Sequence, residues 1–225
     1  YAGALTACGP IGDFAVQIDW FGDFRTVFDY YFPAVLPGSA AESPAELQAN
    51  WESTYAPAVL AALENDPTAT AELLAVTGAP VDPLDPETIG ATVIDLLWYS
   101  VFSTEDAQDR LGGQPYDNST RVYAGSSDDA ALNADIARFT ADPPARAAIA
   151  RFQASGALTR PVVTLHTTGD PIVPVVHQSL YADKVAAAGA SALLEEESFD
   201  RYGHCTFQAG ELVAAFGALA DRATP

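Results

Sequence analysis

The sequence contains no methionine, a single lysine at position 184, and few basic residues of any kind. Its 10 lysines and arginines stand against 30 acidic residues, which gives a formal net charge of -20. This charge argues against a nucleic-acid backbone as partner, because phosphate binding needs a basic surface. It also argues against adsorption to an anionic membrane surface. We interpret the acidity as a solvated surface, and it is also compatible with a salt-adapted source.

Long apolar runs are missing as well. No uninterrupted run approaches the length of a membrane span, and no basic segment followed by an apolar one indicates a signal peptide. Because methionine is absent, we expect the chain to be a processed product, a fragment or the ordered part of a longer protein. Its 49% hydrophobic content is typical of a chain with a packed core.

Strand patterns occur only near the two ends of the chain. The stretch YAGALTAC (1–8) predicts a buried strand that runs into a glycine-containing loop. PVVTLHTT (161–168) is continuous and β-branched, as expected of a parallel strand covered on both faces. SALLEEESF (191–199) predicts a weaker strand at an edge position. Helices are predicted at 176–188 and at 211–220, the latter with one apolar face made of Leu212, Phe216 and Leu219. This alternation predicts a parallel α/β fold.

The middle of the chain is predicted to be helical. Residues 13–37 are rich in aromatic side chains and predict a partly buried helix. Further helix starts are predicted at Ser43-Pro44 with Glu46 as a capping box, at Asp85-Pro86, at Ser127 and at Asp142-Pro143. We therefore divide the chain into a first core strand and loop (1–12), a helical region (13–156) and an α/β core (157–225).

Two polar residues follow the predicted core strands. Asp170 comes just after the strand at 161–168, and His204 comes just after the next strand. Because the carboxyl ends of parallel strands meet at one edge of a sheet, we expect the two side chains to be neighbours. An aspartate there can fix the tautomer of the histidine ring and stabilise its protonated form.

The motif GDPIVP, followed by a helix and then by YGH, resembles the C-terminal end of an α/β-hydrolase. The resemblance implies that Asp170 is the acid and His204 the base of a catalytic triad. YAGALTACGPIG resembles the strand that follows the nucleophile helix in that family. The implied fold is α/β, the C-terminal part of an α/β-hydrolase sheet with a large inserted α-helical cap.

The family's nucleophile motif, G-x-S-x-G, does not occur in the sequence. Ser126 and Ser127 follow Gly125, but no glycine closes the pattern. We expect the serine to lie upstream of Tyr1, on a missing N-terminal half or a second chain that pairs along the strand at 3–8. The expected activity is serine hydrolysis of an ester or peptide-like acyl bond in a small-molecule substrate, without a cofactor. The alternative is a non-catalytic helical binding or assembly module on a hydrolase-derived scaffold.

The sequence contains further candidate site residues besides Asp170 and His204. The aromatic segment predicts a substrate-covering role for Phe14, Trp20 and Phe21. Asp13, after the first strand, is an alternative acid, because some hydrolases place the acid one strand earlier.

The remaining histidines and the cysteines give further expectations. His166 is expected to be a hydrogen-bonded core residue, and His177 to be exposed or helix-capping. The spacing of the three histidines indicates no metal site. Cys8 ends the first strand and Cys205 follows the proposed base on the same rim. We favour a disulfide between them, and hence an extracytoplasmic or secreted protein, over two buried thiols.

Overall fold

The computed structural model describes residues 1–223 and shows a mixed α/β protein with an open, parallel, three-stranded sheet. The strands are β1 (Ala4–Ala7), β2 (Val162–Gly169) and β3 (Leu194–Tyr202), in the order β1-β2-β3. Ala4 of β1 lies opposite Val162 of β2, which in turn lies opposite Leu194 of β3. The parallel α/β arrangement predicted from the alternating pattern is confirmed at this level. The glutamate-rich strand lies at one end of the described sheet, as predicted.

Residues 1–223 contain nine α-helices. They are α1 (Phe14–Tyr31), α2 (Ala45–Ala49), α3 (Ala56–Asn65), α4 (Pro67–Thr77), α5 (Glu87–Leu111), α6 (Asp129–Asp135), α7 (Pro143–Ala148), α8 (Val176–Ala187) and α9 (Ala209–Ala223). A π-helical turn (Trp51–Tyr55) precedes α3, and 3₁₀ turns occupy Ile149–Phe152 and Ser191–Leu193. Within residues 1–223, every helix is too short or too polar to cross a lipid bilayer.

The chain divides into two compact units. Tyr1–Gln17 together with the chain from Phe152 onward forms what we call the sheet unit, and Ile18–Arg151 forms what we call the helical unit. The sheet unit therefore also includes residues 13–17 and 152–156, which lie beyond the boundaries expected at 12/13 and 156/157. Regular strands in the described residues lie only in the sheet unit.

The sheet unit is built around the middle of β2. Val163 and Leu165 are buried against Ala215 and Leu219 of α9. The predicted apolar face of α9 is only partly correct, since Leu212 and Phe216 are exposed. Ala215 makes the contact instead, together with the predicted Leu219.

Two predicted helix caps are wrong in detail. The cap of α6 is Asp128, whose carboxylate accepts the amide of Ala131, rather than Ser127. Adjacent polar residues offer the same cap chemistry, so the sequence could not separate them. The capping box at Ser43 does not form, because its hydroxyl is buried without a partner in the described residues.

Candidate functional site

The three parallel strands bring their carboxyl ends to one rim of the sheet. β1 is followed there by Cys8, β2 by Asp170 and β3 by Gly203 and His204. This is the edge at which open parallel sheets place their functional groups. The candidate site lies at this rim.

Asp170 is held by the turn that follows β2. Its Oδ1 accepts the backbone amides of Ile172 and Val173 at 2.9 and 3.0 Å. The carboxylate is completely buried, and its second oxygen, Oδ2, points to the ring of His204. An aspartate in a G-D-P turn often bonds the amides two or three residues on, which is why the sequence favours this geometry.

His204 is anchored by its neighbours on both sides. Gly203 donates its amide to the carbonyl of Gly169 at 3.0 Å, and Thr167 donates its hydroxyl to the carbonyl of Gly203 at 2.5 Å. Gly203 has a φ of 105°, which favours glycine strongly, so the loop turns sharply at this residue. Cys205, on the other side, is tied to Cys8.

The His204 ring lies 2.8 Å from Asp170, measured from Nδ1 to Oδ2. Because a carboxylate accepts, Nδ1 must carry the proton, which leaves the lone pair of the neutral ring on Nε2. The His204 side chain is 35% exposed, whereas the Asp170 side chain is not exposed at all. The arrangement can take up a proton at Nε2 and stabilise the resulting imidazolium with a buried carboxylate.

A disulfide joins Cys8 to Cys205, with the two Cα atoms 5.6 Å apart. This confirms the predicted pairing. The two sulfurs and a ring nitrogen of His204 lie within 4.8 Å of one another, which is close enough for a metal site. The sulfurs are bonded to each other, however, so they are not thiolates and do not offer the ligands that zinc requires.

The other two histidines also lie in the sheet unit. His166, inside β2, is 1% exposed, and its Nε2 lies 2.7 Å from the carbonyl oxygen of Val173, as expected of a satisfied core residue. The expectation for His177 is wrong, because its side chain is buried at the start of α8. Its Nδ1 accepts the amide of Asp13, and its Nε2 has no partner within residues 1–223.

The burial of His177 predicts a pH-dependent stability. Burial, together with a smaller effect of nearby His166 and against the opposing charge of Asp13, lowers the pKa of His177 from 6.5 to about 4. A lowered pKa means that the unfolded state binds the proton more tightly, so stability is lost as the pH falls from 6.5 to 4. The full contribution is about 3 kcal/mol, at 1.36 kcal/mol for each pH unit.

We expect His177→Asn to remove this dependence. The asparagine oxygen can still accept the amide of Asp13, but the side chain does not titrate. The measurement is guanidinium unfolding of both proteins between pH 4 and 7. The difference in unfolding free energy, wild type minus variant, should rise by about 3 kcal/mol over this range. A difference that stays constant with pH would show that His177 titrates normally in the folded protein.

The alternative acid, Asp13, makes different contacts. Its Oδ1 accepts the amide of Ala15 and the side-chain amide of Gln153. Gln153 in turn accepts a hydrogen bond from Lys184. Asp170 is thus the aspartate that contacts His204, whereas Asp13 caps the start of α1.

The predicted substrate-binding aromatics are divided between the two units. Phe14 lies in the sheet unit, with its ring 6.4 Å from that of Phe152. Trp20 and Phe21 lie in the helical unit, where Phe21 stacks on Tyr99 at 5.1 Å. All three are half-buried, and their role in substrate binding stays a prediction.

The helical unit contains a polar network that sequence patterns did not reveal. Asp23 accepts hydrogen bonds from the hydroxyls of Tyr116 and Tyr123 and pairs with Arg121 at 2.9 Å. Burial raises the pKa of Asp23 to about 6, even though these partners lower it. Asp19 pairs with Arg146 at 2.7 Å, and both residues line a surface pocket together with Arg121. Each aspartate pairs with an arginine, as in a network that stabilises the fold. No sequence motif or hydrophobic periodicity indicates these contacts.

No protein-family model, curated protein or solved structure matches this chain. The functional interpretation therefore depends on the geometry of the Asp170–His204 pair.

Proposed function

We propose that this chain supplies the acid and the general base of a serine hydrolase that cleaves an ester or a peptide-like acyl bond. The observation that carries the proposal is the buried Asp170 carboxylate, bonded to Nδ1 of a half-exposed His204 at the carboxyl rim of a parallel sheet. Because Nδ1 of His204 donates to the carboxylate, Nε2 is the nitrogen that can take up a proton, as the base of a catalytic triad requires.

The proposed reaction is acyl transfer in two stages. Nε2 of His204 takes the proton of a serine hydroxyl as the serine oxygen attacks the substrate carbonyl. The imidazolium, stabilised by Asp170, then gives that proton to the leaving alcohol or amine, and an acyl-serine remains. In the second stage His204 takes a proton from water, which attacks the acyl group, and returns the proton to the serine oxygen. The chemistry needs no cofactor.

We place the nucleophile on a segment that pairs with the free edge of β1. Among residues 1–223, the His204 ring hydrogen-bonds to Asp170 and to no hydroxyl group. β1 pairs with β2 on one side, and no described strand pairs with its other side. A parallel strand added at that edge would end at the rim that carries Asp170 and His204. A serine just beyond its end would then reach Nε2, together with the amide donors of an oxyanion hole.

We also propose that the protein works outside the cytoplasm. The Cys8–Cys205 disulfide supports an oxidising compartment, since such bonds are kept reduced in most cytosols.

The test begins with the gene. We expect the reading frame upstream of the Tyr1 codon to encode G-x-S-x-G within a few tens of residues. The longer product should hydrolyse a short-chain nitrophenyl ester, and the 225 residues alone should not. An upstream stop codon or an unrelated domain would favour the non-catalytic binding module. Ester hydrolysis by the 225 residues alone, lost in His204→Ala, would require a nucleophile within this chain.

A further inference from the structure

We propose that His166 is a positioning residue, which holds the Asp170 turn so that the carboxylate faces His204. Its role in catalysis rests on the function proposed above. The contact itself does not, and it can be tested in this chain alone.

The argument begins with the place of His166 in the sheet. It lies inside β2, opposite Ser198 of β3, and is 1% exposed. The strand is otherwise a continuous run of apolar and threonine side chains. Burying an imidazole in such a strand is costly unless its polar atoms find partners.

The partner of His166 is the turn that carries the acid. Nε2 of His166 lies 2.7 Å from the carbonyl oxygen of Val173. The amide of Val173 donates to Oδ1 of Asp170. Val173 is therefore held at its carbonyl by His166 and at its amide by the acid, which locks the turn at both ends.

This contact determines the tautomer of His166. A carbonyl oxygen only accepts, so Nε2 must carry a proton. The same Nε2 lies 3.5 Å from Oδ2 of Asp170, the oxygen that binds His204. That distance is too long for a good hydrogen bond. It does place the positive end of a buried N–H dipole beside the carboxylate, which favours this orientation of Oδ2 over a rotated one.

Two arrangements follow for the Asp170 side chain. With His166 in place, the turn is closed and Oδ2 points at His204. Without the N–H of His166, the Val173 carbonyl is buried and unsatisfied, so the turn should rearrange to find another donor. The amides of Ile172 and Val173 belong to this turn and hold Oδ1 of Asp170. When the turn rearranges, Oδ1 moves with these amides, and the carboxylate rotates away from His204.

The first measurement uses wild-type protein. The chain has only three histidines, so their ring signals in ¹⁵N-labelled protein can be assigned with single variants. We expect His166 to be the tautomer protonated at Nε2, with slow solvent exchange of that proton. We expect the Nδ1 proton of His204 to appear far downfield, as in a short bond to a carboxylate. A His166 ring protonated only at Nδ1 would overturn the proposal without any variant.

The second measurement compares His166→Gln with His166→Met. The two side chains have the same length, but only glutamine carries an N–H, at the position of the imidazole Nε2. We expect the Gln variant to keep the downfield His204 proton with an exchange rate within about threefold of wild type. The Met variant should lose the signal or exchange at least about tenfold faster, the factor that one hydrogen bond represents.

The outcomes separate the two proposals. A folded Met variant with the wild-type His204 signal would make His166 a core residue only. Loss of the signal in both variants would also contradict the role of the N–H donor. In the longer gene product, the Met variant should lower kcat with KM unchanged. If that product has no activity, the proposed function fails, while the ring signals still decide whether His166 positions Asp170.

Discussion

Replacing Asp170 with asparagine in the proposed longer gene product is expected to lower kcat/KM by about 10⁴-fold. The asparagine oxygen can still accept the amides of Ile172 and Val173, so the turn can keep its shape. The side-chain NH₂ would then face His204 and donate, and Nδ1 would have to accept. His204 would carry its proton on Nε2 and could not take one from the serine.

His204→Ala is expected to lower kcat/KM by at least as large a factor, because it removes the proposed base itself. The double variant should be little worse than either single variant, since the two residues act as one unit. The matched control is Asp13→Asn, which removes the alternative acid. We expect Asp13→Asn to change kcat/KM by less than a few fold. A large loss in Asp13→Asn with little loss in Asp170→Asn would transfer the role of the acid to Asp13.

The position of the candidate pair could be predicted from the sequence because strand ends are marked locally. The β-branched run of β2 ends in Gly169 and is followed by Asp170, and β3 is followed by Gly203 and His204. Parallel topology then places both loops on one rim whatever the details of packing. The same logic located Cys8 and Cys205, since Cys8 directly follows β1 and Cys205 directly follows His204.

Burial of the individual histidines could not be predicted in the same way. His177 stands at the start of a helix, where polar residues are usually exposed. In the structure Gly12 lies against it, so closely that a Cβ atom there would come within 2.6 Å of the His177 carbonyl oxygen. The next residue of this loop, Asp13, donates its backbone amide to Nδ1 of the His177 ring. This contact depends on tertiary packing between residues far apart in sequence, and the only local signal was a glycine after Ile11.

The role proposed for His166 was hidden for a related reason. A histidine in a buried strand indicates that a partner exists, but not which one. The partner, the carbonyl of Val173, comes from a turn whose shape depends on Asp170. The polar network around Asp23 follows the same rule, because its tyrosines lie about a hundred residues further along the chain.

Reduction of the Cys8–Cys205 disulfide is expected to lower the free energy of unfolding by between about 2 and 5 kcal/mol. The bond spans a sequence separation of 197 residues. The chain-entropy model gives about 5 kcal/mol for a loop of this length, and measured values for disulfides are often smaller. The measurement is guanidinium unfolding of the same protein with and without a dithiol reductant, so that no side chain is exchanged.

Reduction should also loosen the candidate site. Cys8 and Cys205 have φ values of 45° and 57°, a left-handed conformation that costs a non-glycine residue about 1–2 kcal/mol. Without the bond, Cys205 is free to relax to ordinary backbone angles, and His204 moves with it. We expect the downfield Nδ1 proton of His204 to broaden or disappear on reduction. The control is the double variant Cys8→Ala, Cys205→Ala, whose stability and His204 signal should match reduced wild type and not respond to reductant. If reduced wild type unfolds at the same denaturant concentration and keeps its His204 signal, the disulfide neither stabilises the fold nor holds the histidine in place.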